Sequence, residues 1–289
     1  MKKIAILPSL LTLGNAFCGI LAICYTADAL LLSPSGGAEL FHQKITAAAW
    51  LVLGAMFFDA LDGKVARITN LTSDFGGQLD SLCDALSFGV APAFLAKVLV
   101  DFERLRLGYP SHPKLLFLAA ALFTICAILR LARFNVENEH GDDAHTFFRG
   151  LPTPGAAGVI ATSVLLFEGF ADSRASGLLA EVFPGMNPLV VTGAIRTALP
   201  FFLVLLGLLM VSRLTYVHFV NYALRERRPF AFLIQLLVLV AVAVIEPELA
   251  LALLFFGYTL SGPLLRLREA LTGRRLSAED DEEGEAPVS

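Results

Sequence analysis

The feature that most constrains this chain is a series of apolar runs, each long enough to cross a membrane and separated from the next by a short polar segment. A helix of ~20 apolar residues spans the hydrocarbon core of a bilayer, where backbone polar groups must be bonded within the chain. We therefore predict an all-α polytopic membrane protein with about eight transmembrane helices. The predicted spans cover residues 10–32, 44–62, 77–100, 114–132, 153–170, 190–211, 229–245 and 247–265.

Composition supports a membrane protein and excludes other classes. Of the 289 residues, 56% are hydrophobic and 17% are charged, whereas roughly a quarter of the residues of a soluble protein are charged. The net charge of −4 includes no basic excess of the kind that binds nucleic acid. The first apolar run is long and lacks a small-residue cleavage site, so we expect a retained span rather than a signal peptide.

The distribution of basic residues predicts the orientation. Most of the 22 lysines and arginines fall on the side of the N-terminus when successive loops are placed on alternate sides of the membrane. Because basic loops stay in the cytoplasm, we expect an inner-membrane protein with both termini cytoplasmic. Residues 1–268 are predicted to form one transmembrane domain, and residues 269–289 an acidic, disordered cytoplasmic tail.

Two pairs of aspartates lie at the ends of neighbouring apolar runs. Asp59 and Asp62 are three residues apart, and Asp80 and Asp84 are four apart, so each pair occupies one helix face. If the two helices form a hairpin around residues 68–73, four carboxylates converge and repel each other unless a cation lies between them. All-oxygen ligand sets suit Mg²⁺, Mn²⁺ or Ca²⁺. Two such ions can clamp a pyrophosphate between an attacking and a leaving oxygen.

Small and basic residues around the aspartates fit a phosphate-bearing ligand. Gly63, Ala66 and Gly76 leave room where a bulky side chain would block a nucleotide. Arg67 can form paired hydrogen bonds to a phosphate. A plainer alternative is that the carboxylates mark the membrane interface and the glycines pack helices. That alternative explains each residue singly but gives no reason for the whole set.

The pattern from Asp59 to Asp84 is Asp-x-x-Asp-Gly-x-x-Ala-Arg, eight further residues, then Gly-x-x-x-Asp-x-x-x-Asp. It resembles the signature of the CDP-alcohol phosphatidyltransferase family at every fixed position. The resemblance implies that a hydroxyl attacks the β-phosphorus of a CDP-linked substrate and that CMP leaves. It further implies that Asp59, Asp62 and Asp80 hold metal ions, and that Asp84 is the general base, close enough to touch a metal. The residues implied for CDP binding are Asp62, Gly63, Ala66, Arg67, Gly76 and Asp80.

Further segments at predicted cytoplasmic span ends resemble the phosphatidylserine synthase branch of this family; they are residues 7–19, 80–93, 130–135, 148–154 and 209–213. This resemblance implies CDP-diacylglycerol and L-serine as substrates, CMP as a product, and a homodimer among membrane lipids. The chain departs from the branch at Ser9, where asparagine is usual, and at Cys83, where alanine is common.

Free serine is a small zwitterion, so its site needs a cation for the carboxylate and oxygens for the ammonium group. Four arginines lie at the predicted cytoplasmic ends of the spans and are the predicted cations for serine or for a lipid phosphate: Arg130, Arg133, Arg149 and Arg213. Thr12, Asn15 and Ser87 are predicted neutral contacts. The alternatives are anchoring at the cytoplasmic interface for the arginines and a hydrogen bond between helices for Asn15.

Two rival functions remain open at this point. A sibling enzyme would use glycerol-3-phosphate, inositol, inositol phosphate or a second phosphatidylglycerol as acceptor, and the arginines do not exclude a phosphorylated one. A cation transporter would place acidic groups near the middle of the membrane. The four aspartates lie instead at span ends, and the last two predicted spans are almost purely apolar, so the sequence favours the enzyme.

Overall fold

The computed structural model of the protein describes residues 6–33, 36–69, 74–109, 112–139, 147–171, 187–217, 244 and 246–272. Helices dominate this part of the chain, joined by one short two-stranded ribbon. The helical elements are α1 (Ile6–Leu30), α2 (Ala38–Thr69), α3 (Asp74–Asp84), a π-helical segment (Ala85–Val90), α4 (Ala91–Leu107), α5 (Pro113–Glu139), α6 (Thr153–Ala171), α7 (Pro188–Val211) and α8 (Pro247–Thr272).

Seven stretches among the described residues are helical, long and apolar enough to cross a membrane. One of them joins α3, the π-helical segment and α4 into a continuous span. The all-α class and seven of the predicted spans are thereby confirmed, and the chain is an integral multi-pass membrane protein. Of the span predicted over 229–245, only residue 244 is among the described residues.

Several helix boundaries differ from the prediction. The second span was predicted to begin at residue 44, but α2 already begins at Ala38. Phe41 is fully buried and its ring stacks on that of Phe102, with 3.5 Å between centroids, so packing against α4 extends the helix beyond its most apolar part. At the other end of the chain, α8 continues to Thr272, four residues into the predicted tail; residues 273–289 lie outside the described part.

A short antiparallel ribbon was not predicted. Strands β1 (Phe147–Arg149) and β2 (Thr215–Val217) pair with each other, and both lie between predicted spans. Gly150 follows β1 with a φ of +87°, and its N–H donates to the carbonyl of Leu214 at 2.8 Å. A Cβ at this position would collide with the Met210 carbonyl, so glycine is required on both counts. The ribbon joins the start of α6 to the end of α7.

Helix α8 packs along α6 through small residues. A Cβ at Gly155 would lie 3.3 Å from the ring of Tyr258, and one at Gly158 would overlap the ring of Phe255. Glu248, in the first turn of α8, lies within electrostatic range of Glu168 near the end of α6. The two helices are therefore antiparallel, and Val217 and Pro247 lie at opposite ends of the bundle.

A charged cluster closes the end of the bundle opposite the aspartates. Nδ1 of His42 lies 2.9 Å from the carboxylate of Glu168, and its Nε2 lies 3.3 Å from Arg106. Glu103, whose side chain is 2% exposed, pairs with Arg106 at 3.2 Å and with Arg196 at 3.8 Å. These five residues come from α2, α4, α6 and α7, so the cluster ties together four helices at that end.

Candidate active site

Three carboxylates from two helices meet at one point. Asp59 and Asp62 lie near the end of α2, and Asp80 lies in α3; each offers an oxygen, and these oxygens all fall within 4.8 Å of one another. Spacing of three residues places the first two on one face of α2, and α3 lies so that the third is beside them. The predicted convergence is confirmed for these three residues.

The donor set fits a divalent cation. Within the described part of the chain, Oδ2 of Asp62 and Oδ1 of Asp80 are buried and have no hydrogen-bond partner. Buried carboxylate oxygens without partners are costly, and hard divalent ions are bound by oxygen ligands. The aspartate cluster can therefore hold a divalent cation.

Asp84 occupies a more enclosed position than the other three aspartates. It is the last residue of α3, is 8% exposed and lies beside Asp59. Nδ2 of Asn15 in α1 donates to Oδ1 of Asp84 at 2.9 Å, and Asn15 itself has no exposed surface. The hydrogen bond from Asn15 thus fixes the carboxylate of Asp84 against α1.

The π-helical segment begins directly after Asp84. Its hydroxyl-bearing residue, Ser87, donates to the backbone carbonyl of Asn15 at 3.0 Å, and Thr124 of α5 donates to the carbonyl of Gly89 at 3.2 Å. Pro92 follows in the first turn of α4; proline clashes with the carbonyl four residues before it in an α-helix, and a wider turn accommodates it. Such π segments are frequent at functional sites.

The small residues predicted for the nucleotide differ in how far the structure describes them. Gly63 is exposed, and a Cβ there would meet no atom within 4 Å among the described residues. Gly76 is half-buried near the start of α3. Ala66 and Arg67 lie in the last turns of α2, and their side chains are outside the described part. No described atom crowds Gly63, and the roles of these residues in nucleotide binding stay predictions.

Arg130 is a predicted cation that lies within electrostatic range of the aspartates. Its guanidinium donates to Oγ1 of Thr153 at 2.7 Å and lies 5.8 Å from the ring centroid of Phe134. Its charge acts on Asp84 and Asp59. Contacts from α5 and α6 therefore hold a cation beside the carboxylate cluster.

The other predicted contacts are distributed around this centre. Arg133 is half-buried on α5, Arg213 is exposed after α7, and Arg149 lies in β1 with its side chain outside the described part.

The predicted neutral contacts lie behind the carboxylates. Thr12 is buried, donates to the carbonyl of Pro8 at 3.0 Å and lies against Asp62. Ser87 is fully buried. Thr12, Asn15 and Ser87 thus form a polar layer behind the carboxylates, and their predicted role as serine contacts remains untested.

Two features near the site had not been predicted. Ser81 of α3 and Asn135 of α5 share hydrogen bonds of 2.9–3.1 Å, which fix the two helices that carry Asp80 and Arg130. Tyr258 of α8 lies within electrostatic range of Arg130. Asn135 closes a segment that the sequence had singled out, whereas Tyr258 lies beyond the stretch that carried the family resemblance, so no sequence signal pointed to it.

Comparison with known proteins agrees with the geometry. Residues 5–186 match the model of the CDP-alcohol phosphatidyltransferase family. A CDP-diacylglycerol–serine O-phosphatidyltransferase of Helicobacter pylori is 32% identical over 76% of this chain and 75% of its own length. The protein with the same description from Methanocaldococcus jannaschii is 31% identical over 76% of this chain and 78% of its own. An archaetidylserine synthase of Methanothermobacter thermautotrophicus is 40% identical over 55% of this chain and 58% of its own length. This chain belongs to the CDP-alcohol phosphatidyltransferase family.

Proposed function

We propose that this protein transfers the phosphatidyl group of CDP-diacylglycerol to the hydroxyl of L-serine, giving phosphatidylserine and CMP. The observation that carries the proposal is the cluster of Asp59, Asp62 and Asp80 with Asp84 held beside it. The relatives described as serine O-phosphatidyltransferases support serine as the acceptor.

Asp59, Asp62 and Asp80 would hold the divalent cations, two in this proposal, either Mg²⁺ or Mn²⁺ with Ca²⁺ as an alternative. When bound, such ions offset the negative charge on the phosphoryl oxygens. The open space beside Gly63 leaves room for the cytidine nucleotide, with Ala66, Arg67 and Gly76 completing its site. The acyl chains remain in the lipid.

Asp84 accepts the proton of the serine hydroxyl as that oxygen forms its bond to the β-phosphorus. The bond between the β-phosphorus and the bridging oxygen breaks, and CMP leaves with the bonding electron pair. The transfer is direct, and no covalent intermediate on the protein is needed. The enclosed position of Asp84 keeps bulk water away from the oxygen that takes the proton.

Arg130 binds the serine carboxylate in this proposal, because it lies within electrostatic range of Asp84, which would accept the proton of the serine hydroxyl. Arg133, Arg149 and Arg213 are the further candidates, for serine or for a lipid phosphate. We place the site at the cytoplasmic face of the inner membrane, where a CTP-derived lipid is available, within a domain of residues 1–268, and we propose a homodimer.

Detergent-purified protein supplied with CDP-diacylglycerol and Mn²⁺ or Mg²⁺ is expected to convert labelled serine into phosphatidylserine, with one CMP released per product. Glycerol-3-phosphate and inositol, offered in parallel, are expected to give no lipid product. Chelation of the cation should abolish the reaction, and added Mn²⁺ should restore it. Lipid product with one of the other alcohols alone would assign a sibling enzyme. No CMP release with any acceptor would favour the cation transporter.

Arg130→Gln is expected to raise the KM for serine by about 10- to 100-fold, since a hydrogen bond to a charged group contributes roughly 1.5–3 kcal/mol. The KM for CDP-diacylglycerol should stay unchanged. Lys114→Gln, which removes an exposed cation at the other end of the same helix, is the matched control. An unchanged serine KM in Arg130→Gln would move the carboxylate contact to one of the other three arginines.

A further inference from the structure

We infer that Asn15 is a positioning residue that directs the Asp84 carboxylate, and this inference rests on the proposed function. Nδ2 of Asn15 donates to Oδ1 of Asp84 across 2.9 Å. The two residues are 69 positions apart in the sequence, on α1 and at the end of α3. An ionised carboxylate only accepts hydrogen bonds, so the amide must turn its nitrogen toward Asp84.

Asn15 is itself fixed in place. Its side chain has no exposed surface, and its backbone carbonyl accepts the hydrogen bond from Ser87. Gly19, one turn further along α1, allows this close approach: a Cβ there would lie 2.8 Å from Cα of Ser87 and would overlap its hydroxyl. The same contact between α1 and the π-helical segment therefore fixes both the donor and the chain that follows Asp84.

The hydrogen bond distinguishes the two oxygens of the carboxylate. Oδ1 of Asp84 already accepts a hydrogen bond from Asn15, which lowers the basicity of that oxygen relative to Oδ2. In this inference Oδ2 is therefore the oxygen that takes the proton from the acceptor hydroxyl. Proton transfer depends on a donor–acceptor distance of about 2.6–3.2 Å. A carboxylate free to rotate at the end of α3 would spend less time in that geometry.

A purely structural hydrogen bond is a poorer explanation of this arrangement. Within the described residues, Oδ1 of Asn15 is buried and has no hydrogen-bond partner. A buried polar atom without a partner costs roughly 1–3 kcal/mol, which offsets what one hydrogen bond between helices contributes. An apolar residue would pack α1 against α3 at lower cost, but it would leave Asp84 undirected.

Asn15→Leu removes the donor while keeping a side chain branched at the same carbon, and it is expected to lower kcat by about 10- to 100-fold, the usual effect of losing a group that orients a catalytic ligand. The KM values for serine and CDP-diacylglycerol should stay within a few-fold of wild type. Combined with Asp84→Asn, the substitution should cause no further loss, because both act through one carboxylate. Thr26→Val is the control: Thr26 is equally buried in α1 and donates only to the carbonyl of Ala22 among the described contacts, so its kcat should be unchanged.

The outcomes of these assays distinguish failure of the positioning role from failure of the proposed function. A wild-type kcat in folded Asn15→Leu, or the same proportional loss in the Asp84→Asn background, would overturn the positioning role alone. If Asn15→Leu does not fold, Asn15→Ala gives the same comparison. If the wild-type protein uses another acceptor, the kcat of Asn15→Leu is compared with that of wild type using that acceptor, and only the assignment of serine is wrong. No CMP release by wild type with any acceptor overturns the proposed function and the positioning role together.

Discussion

Asp84→Asn is expected to lower the rate of CMP release by roughly 10²- to 10⁴-fold, the contribution of a well-placed general base. The substitution keeps the shape of the side chain, and the amide oxygen that replaces Oδ1 can still accept the hydrogen bond from Asn15. The protein should therefore fold as wild type does. Since Asp59, Asp62 and Asp80 are untouched, retention of CDP-diacylglycerol on the protein is expected to change little.

The comparison needs an aspartate whose loss of charge is harmless. Asp28 in α1 has a side chain that is 60% exposed and pairs with Lys44 at 2.8 Å, so Asp28→Asn makes the same chemical change away from the site. Rates are measured as CMP release per folded protein, with folding followed by thermal unfolding in detergent. A rate for Asp84→Asn within about tenfold of wild type would remove Asp84 from the role of base.

The carboxylate cluster was predictable because its information is local. Spacings of three and four residues fix which aspartates share a helix face, and α3 begins only five positions after α2 ends, at Asp74 and Thr69 respectively. Apolar runs likewise gave the helices, since membrane-spanning length follows from bilayer thickness. Nothing distant in sequence enters either argument.

The partners of the cluster depend on contacts between distant segments. Asn15 meets Asp84, and Tyr258 approaches Arg130, only after the helices have packed. The π-helical segment has no hydrophobic period of its own to reveal it. The start of α2 was misplaced because Phe41 is buried by a residue of α4 rather than by its own neighbours. Spacing therefore predicts the reactive groups better than the residues that hold them.

Glu103→Gln is expected to destabilise the protein by about 3 kcal/mol, since removing one partner of a buried ion pair leaves charge uncompensated. Arg196, whose side chain is 16% exposed, and Arg106 both face Glu103, and His42 lies 3.9 Å away. We use the lower end of the usual range because Arg106 is 36% exposed and can reach water.

Thermal unfolding in detergent tests this expectation, with a fall in Tm of roughly 5–10 °C for Glu103→Gln. Asp28→Asn serves again as control, because breaking an exposed pair costs about 1 kcal/mol or less. Activity below the unfolding range should remain near wild type, since the charged cluster and the aspartates lie at opposite ends of the bundle. A Tm loss no larger than that of Asp28→Asn would mean that Arg106 and Arg196 find water or other anions once Glu103 is neutral. The charged cluster would then contribute little to holding α2, α4, α6 and α7 together.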